Sequence, residues 1–303
     1  MTHVVVDKPV IIEARLNEFA MRSAGNPNVP YSPKEIIEDG CRAWEAGASI
    51  LHWHVRDAGT GAPRNDAELH LEVLEGLHAR TDALLHPTLG YISQSGIEER
   101  VTHIRAADVN PKTYADLVPV DFGTFNIDLW DPKKCDWETL DSAYNNPRSY
   151  LKGILETFKA MHKNVLTICW DTGHARTARK FQEMGLLQRN TLWELFTGGE
   201  QLPGIAGISM LTLQSLVAEV DPGAEWLVAS YYGDVLALAA WGITLGGHVA
   251  IGLGDFPYTR FGTPTNAELV RRVGDLAHTL GRPVAKAEDV RRMLRLERQE
   301  FTS

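Results

Sequence analysis

The residues Ile50-Leu51-His52-Trp53-His54-Val55-Arg56-Asp57 speak most directly of chemistry. In an extended strand alternate side chains share a face, so His52 and His54 point one way while Leu51, Trp53 and Val55 point the other. Two imidazoles on one face at the end of a strand can grip a single cation. Zinc suits imidazole well, although histidine pairs accept other divalent ions too. Two histidines can also merely fill polar positions inside a barrel. Arg56-Asp57 and the glycine-bearing turn after it place this pair at a strand's end, where a site would lie.

A catalytic zinc usually has three protein ligands and one open position, so a further ligand must come from another strand. Glu13, Arg15 and Asn17 share one face of the first strand, the third offers His86 and Thr88, and the fourth offers Asp121. Gly254-Asp255 follows the last. His86 and Glu13 flank the second strand in barrel order and are the expected partners of His52 and His54. Asp255 is a candidate base, Arg56 and Thr88 are further catalytic candidates, and Arg15, Asn17 and Asp121 candidate substrate contacts. Each has a plainer reading. Glu13 with Arg15 could be an ion pair, and Gly-Asp before Phe-Pro is a turn signal. Asp171-Thr172-Gly173-His174 is a second polar cluster, in which His174 could simply cap a helix. No GxSxG elbow, Walker A sequence or HExxH is present, so serine-nucleophile, nucleotide-phosphate and zincin chemistries have no support.

The elements that must position these groups alternate along the whole chain. Strands are expected at 10–17, 49–55, 83–89, 118–125, 165–171, 192–197, 226–232 and 249–253. Helices are expected at 33–46, 67–80, 96–107, 150–163, 176–184, 212–220, 235–244 and 266–280. Ser32 before Pro33 reads as an N-cap with proline at the first helical position, and Gly47 stands where that helix should end. Eight strand–helix repeats without a composition break predict one closed (β/α)8 barrel over residues 1–303. Its chemistry would lie at the carboxyl ends of the strands. An open doubly wound sheet would carry a glycine-rich turn after the first strand, and Ala14–Arg22 has none. The tail, about 284–303, reads as one more helix, exposed and charged.

Composition narrows the function classes. At 303 residues, with 44% apolar and 23% charged residues, the chain is an ordinary globular one. A net charge of −9 argues against nucleic-acid or membrane-surface partners but permits a small anionic substrate held by a local arginine or metal. Cys41, Cys135 and Cys169 lie far apart, as in a reducing compartment. No leader or transmembrane run is legible, so a cytoplasmic location is expected.

Ordered stretches through the chain resemble the β-keto acid cleavage enzyme family. They are Asn26–Pro30 before Ser32–Ile36, Glu45–Ala48 leading into His52–Arg56, and Gly123–Asn126. Later come Gly246–Val249 with Gly252-Leu253 and Asp255, then Gly281–Pro283. The resemblance implies a (β/α)8 barrel, a homo-oligomer, and zinc held at His52 and His54. It also implies retro-Claisen-type acyl exchange between a β-keto acid and acetyl-CoA, in which zinc polarises the keto oxygen and Asp255 helps activate the attack. Thr88 stands for the family's strand-three serine. Other family positions differ. The glutamate ligand before the aspartate is Gly254, the arginine on the same strand is Ala250, and the strand-five acid is Ile168. The strand-four threonine is Pro119 and the strand-one glutamate is Ala20. New polar groups face inward instead: Glu13, Arg15, Asn17, Glu18, His86 and Asp121. The expected function is metal-dependent cleavage or acyl exchange of a small carboxylic acid, with acetyl-CoA as candidate co-substrate. A metal-dependent hydrolase of the amidohydrolase type, or a non-catalytic binding barrel, are the alternatives.

Overall fold

The structure, a computed structural model, describes residues 8–18, 20–90 and 96–296. Its frame is one parallel sheet of eight strands. They are β1 (Ile12–Arg15), β2 (Ile50–Trp53), β3 (Leu84–Pro87), β4 (Val118–Asp121), β5 (Val165–Cys169), β6 (Leu192–Gly198), β7 (Trp226–Tyr231) and β8 (His248–Ile251). Neighbours run β3-β2-β1-β8-β7-β6-β5-β4. The two ends nearly meet: Leu117 N donates to Leu85 O at 3.2 Å, and Leu85 N to Asp116 Oδ2 at 2.9 Å. This is a (β/α)8 barrel, as the alternation of elements predicts.

Period-two alternation explains both faces of the strands. Ile12, Ala14 and Leu16 join the apolar layer between strands and helices, while Glu13 and Arg15 turn inward. The helices α1 (Pro33–Glu45), α2 (Ala67–His78), α3 (Ile97–Ala107), α4 (Arg148–Ala160), α5 (Thr172–Glu183), α6 (Met210–Val217), α7 (Leu236–Thr244) and α8 (Asn266–Thr279) cover that layer. The Ser32 cap is a full capping box with Glu35, and Gly47 after α1 has φ +115°.

Three sequence expectations change. Helix α5 begins at Thr172 rather than Arg176, because Asp171 caps it by accepting from His174 N at 2.9 Å. The fourth strand stops at Asp121. Residues 122–147 form an excursion of two small antiparallel pairs, Phe125–Asn126 with Ala143–Tyr144 and Trp130–Asp131 with Asp136–Trp137. The tail helix α9 (Ala287–Met293) is charged but not simply exposed. Ala287, Val290 and Leu294 are buried with Ile11, Ile50, Leu84 and Leu166, so its apolar side plugs the amino-terminal end of the barrel. The remainder of that expected tail, 297–303, lies outside the described residues. Among the described residues no helix is long and apolar enough to cross a membrane.

Candidate metal centre

Strand register brings the inward groups of three strands into one row. Arg15 of β1 pairs with His52 of β2, and His52 with His86 of β3. The carbonyl oxygen of His86 can only accept, so His52 Nδ1, 2.9 Å away, carries the proton and Nε2 keeps a bare lone pair. Burial, reinforced by Arg15, pulls His52 well below the usual imidazole range, and burial lowers His54 against the pull of Glu18. Both rings are therefore neutral near pH 7, the form that ligates metals.

The chain leaving β1 supplies an acid. Glu18 Oε1 is 3.4 Å from His54 Nε2, and Glu18 Oε2 accepts from Arg15 Nη2 at 2.5 Å. Burial would raise this carboxyl, but Arg15 and His54 override it and bring it down to about 2. Glu18, His52 and His54 each offer a ligand atom within 4.8 Å of the others. A second group, Glu13, His52 and His86, meets the same limit. The four residues expected as ligands therefore divide: His52 belongs to both groups, His54 to the first, and His86 and Glu13 to the second. His86 Nε2 and Glu13 Oε2 are buried without a hydrogen-bond partner among the described residues.

Gly254 is the reason Glu18 can stand where it does. A Cβ on Gly254 would lie 2.9 Å from the Asn17 carbonyl carbon and 3.1 Å from Glu18 N. Gly254 N also donates to Arg15 O at 3.0 Å. The backbone leaving β1 occupies the space a side chain at 254 would need.

Arg15 organises the acids around it. Its Nε reaches Asp255 Oδ1 at 2.8 Å and its Nη1 reaches Glu194 Oε1 at 2.9 Å and Glu13 Oε1 at 3.4 Å, in addition to Glu18. One buried cation thus serves four carboxyl groups. The excess negative charge is relieved by protonation. Burial, with Glu13 close by, pushes Glu194 well above the carboxylate range, and burial raises Asp255 to about 7 despite Arg15.

The other expected residues have varied places. Asn17 accepts from His54 N at 2.8 Å and donates to Pro30 O at 2.6 Å, bracing the ligand strand. Arg56 lies buried over the Tyr31 ring and donates to Gly61 O and Ala20 O, both at 2.7 Å, so it ties two loops together. Thr88 lines the cavity, and its Oγ1 lies 3.1 Å from both Gly90 N and Gly90 O. Asp121 also lines it and accepts from Trp170 Nε1 at 2.6 Å and Tyr144 OH at 2.9 Å. Asp255 stands behind Arg15.

The cavity itself, about 250 Å³, opens above Arg15, Glu18, His52 and His54. The sequence counts Glu18 among inward polar groups but gives it no part in a metal site, because strand alternation ends before it. Glu194 was readable: a lone acid in the apolar strand Leu192–Gly198 needs a buried partner. Arg100, on α3, also lines the cavity, and nothing in its helical pattern marks it.

The architecture occurs in solved structures. ObcA in complex with a C4-CoA adduct and oxalate superposes with a TM-score of 0.69 at 15% identity, over 89% of this chain and 68% of that one. The homocysteine methyltransferase MmuM from Escherichia coli gives 0.53 at 11% identity, over 89% and 98%. Among curated relatives, the 3-dehydrocarnitine:acetyl-CoA trimethylamine transferase of Rhizobium meliloti is 29% identical over 287 residues, 90% of this chain and 91% of that protein. The 3-keto-5-aminohexanoate cleavage enzyme of Fusobacterium nucleatum is 27% identical, with 95% and 98% covered. The 3-oxoadipate:acetyl-CoA acetyltransferase of Cupriavidus necator is 25% identical, with 97% of each covered. The family description beta-keto acid cleavage enzyme matches residues 9–296, and the chain belongs to that family.

Proposed function

We propose that the protein is a divalent-metal enzyme, with zinc as the fitting ion, that exchanges acyl groups between a 3-oxo acid and acetyl-CoA. The reading rests on one observation: a carboxylate held ionised and two neutral imidazoles converge at the floor of the cavity. Two nitrogens and one oxygen leave a zinc ion its usual open position. His52, His54 and Glu18 would hold the metal, and when bound it would polarise the keto oxygen of the substrate. Family membership favours acyl exchange over hydrolysis by metal-activated water. The curated relatives whose names state a co-substrate use acetyl-CoA, and this supports the same co-substrate here.

In that exchange the CH2–COO⁻ unit leaves the substrate's acyl group and joins the acetyl group, and CoA takes the acyl group left behind. Asp255, whose ionisation falls near neutrality, is the proton acceptor we assign for the carbon between the two carbonyls. It stands behind Arg15, so its action requires the Arg15 Nε bond to open. Arg15 holds Glu18 and Asp255 apart and fixes both. Thr88 is assigned to orient the acid from β3. Asn17 holds His54 through its backbone.

The test is metal analysis of protein purified without chelators, followed by turnover of a 3-oxo acid panel with acetyl-CoA. The expected result is a stoichiometric divalent ion and new acyl-CoA with at least one acid. Metal-loaded protein that exchanges no acyl group with any of them would overturn the reading.

A further inference from the structure

The cavity has two unlike sides. Beside the polar floor stands a wall built by Phe125, Ile168, Trp170, Phe196 and Leu202, which meets the floor where Arg15 lies over the Phe196 ring. The wall is preorganised. The Trp170 indole stacks on Phe196 at 4.1 Å and 23°, and Phe125 leans on it at 4.9 Å. Its Nε1 is anchored to Asp121 Oδ1 at 2.6 Å.

Charges on this side close on one another. Arg100 Nη1 donates to Tyr144 OH at 3.0 Å, and that hydroxyl donates onward to Asp121 Oδ2 at 2.9 Å. Arg100 and Asp121 thus offset each other through one phenol, and both Asp121 oxygens already carry a donor. Arg15 lies over the Phe196 ring at 5.0 Å, and Trp170 packs against both Phe196 and Phe125, so a cationic tail meets a like charge and ring faces already taken. A carboxylate tail would lose its hydration beside an Arg15 already engaged by four carboxyl groups. An apolar group would only exchange water for aromatic carbon. The cavity, at about 250 Å³, is below the roughly 300–1,000 Å³ of drug-sized pockets, so its occupant is small.

We propose that this wall is the subsite for the tail of the acyl substrate, and that the tail is uncharged and apolar: an aryl or branched alkyl group on the far side of the keto carbon. The proposal rests on the reading that a 3-oxo acid sits at the polar floor. It excludes acids whose tails end in an ammonium or a second carboxylate.

The experiment uses the metal-loaded full chain. Three 3-oxo acids of matched length, ending in phenyl, trimethylammonium or carboxylate, are compared by kcat/KM with acetyl-CoA. The matching 3-hydroxy acids, which cannot undergo the cleavage, are compared by calorimetric Kd. The phenyl acid should lead each charged one by about 100-fold or more in both series, since a site without polar partners rejects a charge strongly. A charged tail that equals or beats it in binding overturns the proposal. If no acid turns over but the binding order holds, the activity reading fails and the subsite stands. Displacement of the phenyl 3-hydroxy acid by CoA alone would assign the wall to the cofactor's arm and overturn the tail assignment. Leu202→Ala should weaken the phenyl acid by about 10-fold with metal content unchanged; an unaltered Kd counts against the proposal.

Discussion

The Nε of Arg15 donates to Oδ1 of Asp255 at 2.8 Å, joining the exit of the first barrel strand to the turn after the last. That single bond links the acid near neutrality to the guanidinium that also fixes Glu18. The consequences for metal binding, pH dependence and stability can each be measured.

Metal retention should depend on Glu18 as well as on the histidines. His52→Ala is expected to abolish a stoichiometric ion, and Glu18→Gln to weaken its binding by roughly 100-fold, because even loss of an outer-shell partner costs about 10–100-fold. Cys135→Ala, at an exposed thiol, should retain the full complement. Metal content after dialysis and competition with a chelator report all three. A Glu18→Gln protein with unaltered affinity, and a Glu13→Gln protein that loses the ion, would instead place the metal between Glu13, His52 and His86.

Asp255 sets the expected pH dependence. Its carboxyl titrates at about 7 in the folded metal-free protein, against 3.8 ordinarily. A divalent ion on Glu18 offsets the negative charge that helps raise it, so acyl exchange by metal-loaded protein should rise with pH through a value below about 7. The stability of metal-free protein should run the other way. A raised folded value means that the native state holds the proton more tightly, so this contribution is complete below about 3.8 and disappears as pH rises through about 7. Glu18, lowered from 4.5 to about 2, contributes above 4.5 and loses its share as pH falls towards 2. Asp255→Asn cannot ionise. It should lower the rate by about 10²–10⁴-fold, remove the rising limb, and raise the urea midpoint at pH 8 but not at pH 4.

Removing the cation should be far worse than removing one acid's charge. Arg15→Met leaves several buried carboxyl groups without their partner, and should destabilise the fold by about 3–5 kcal/mol in urea titration. Glu194→Gln replaces an acid that burial keeps protonated with an amide of the same shape, so its midpoint should move little. Comparable losses for the two variants would show that Glu194 is ionised after all.

At the opposite end of the barrel, Leu294→Ala should cost about 2–5 kcal/mol, the range for emptying a packed leucine site. Metal affinity should be unchanged, because this plug contacts the amino-terminal layer of the barrel. Differential unfolding and metal titration of the same sample separate the two effects.

What the sequence by itself determined was local and periodic. The alternation of short apolar runs with amphipathic segments gave the strands and helices within a few residues, since backbone pleat and helical pitch act over one turn or one pair of residues. The same alternation put His52 and His54 on one face, and the capping chemistry of Ser32 and Gly47 was readable from type alone. Only the tertiary structure decided which acid meets that pair. Glu18 lies past the last paired residue of its strand, where no period governs a side chain's direction. Its place follows from closure of the ring, which sets the exits of the first and last strands side by side and lets Gly254 yield its space. Charge on the tail helix likewise concealed Ala287, Val290 and Leu294, whose burial exists only because the barrel has an open end to be filled.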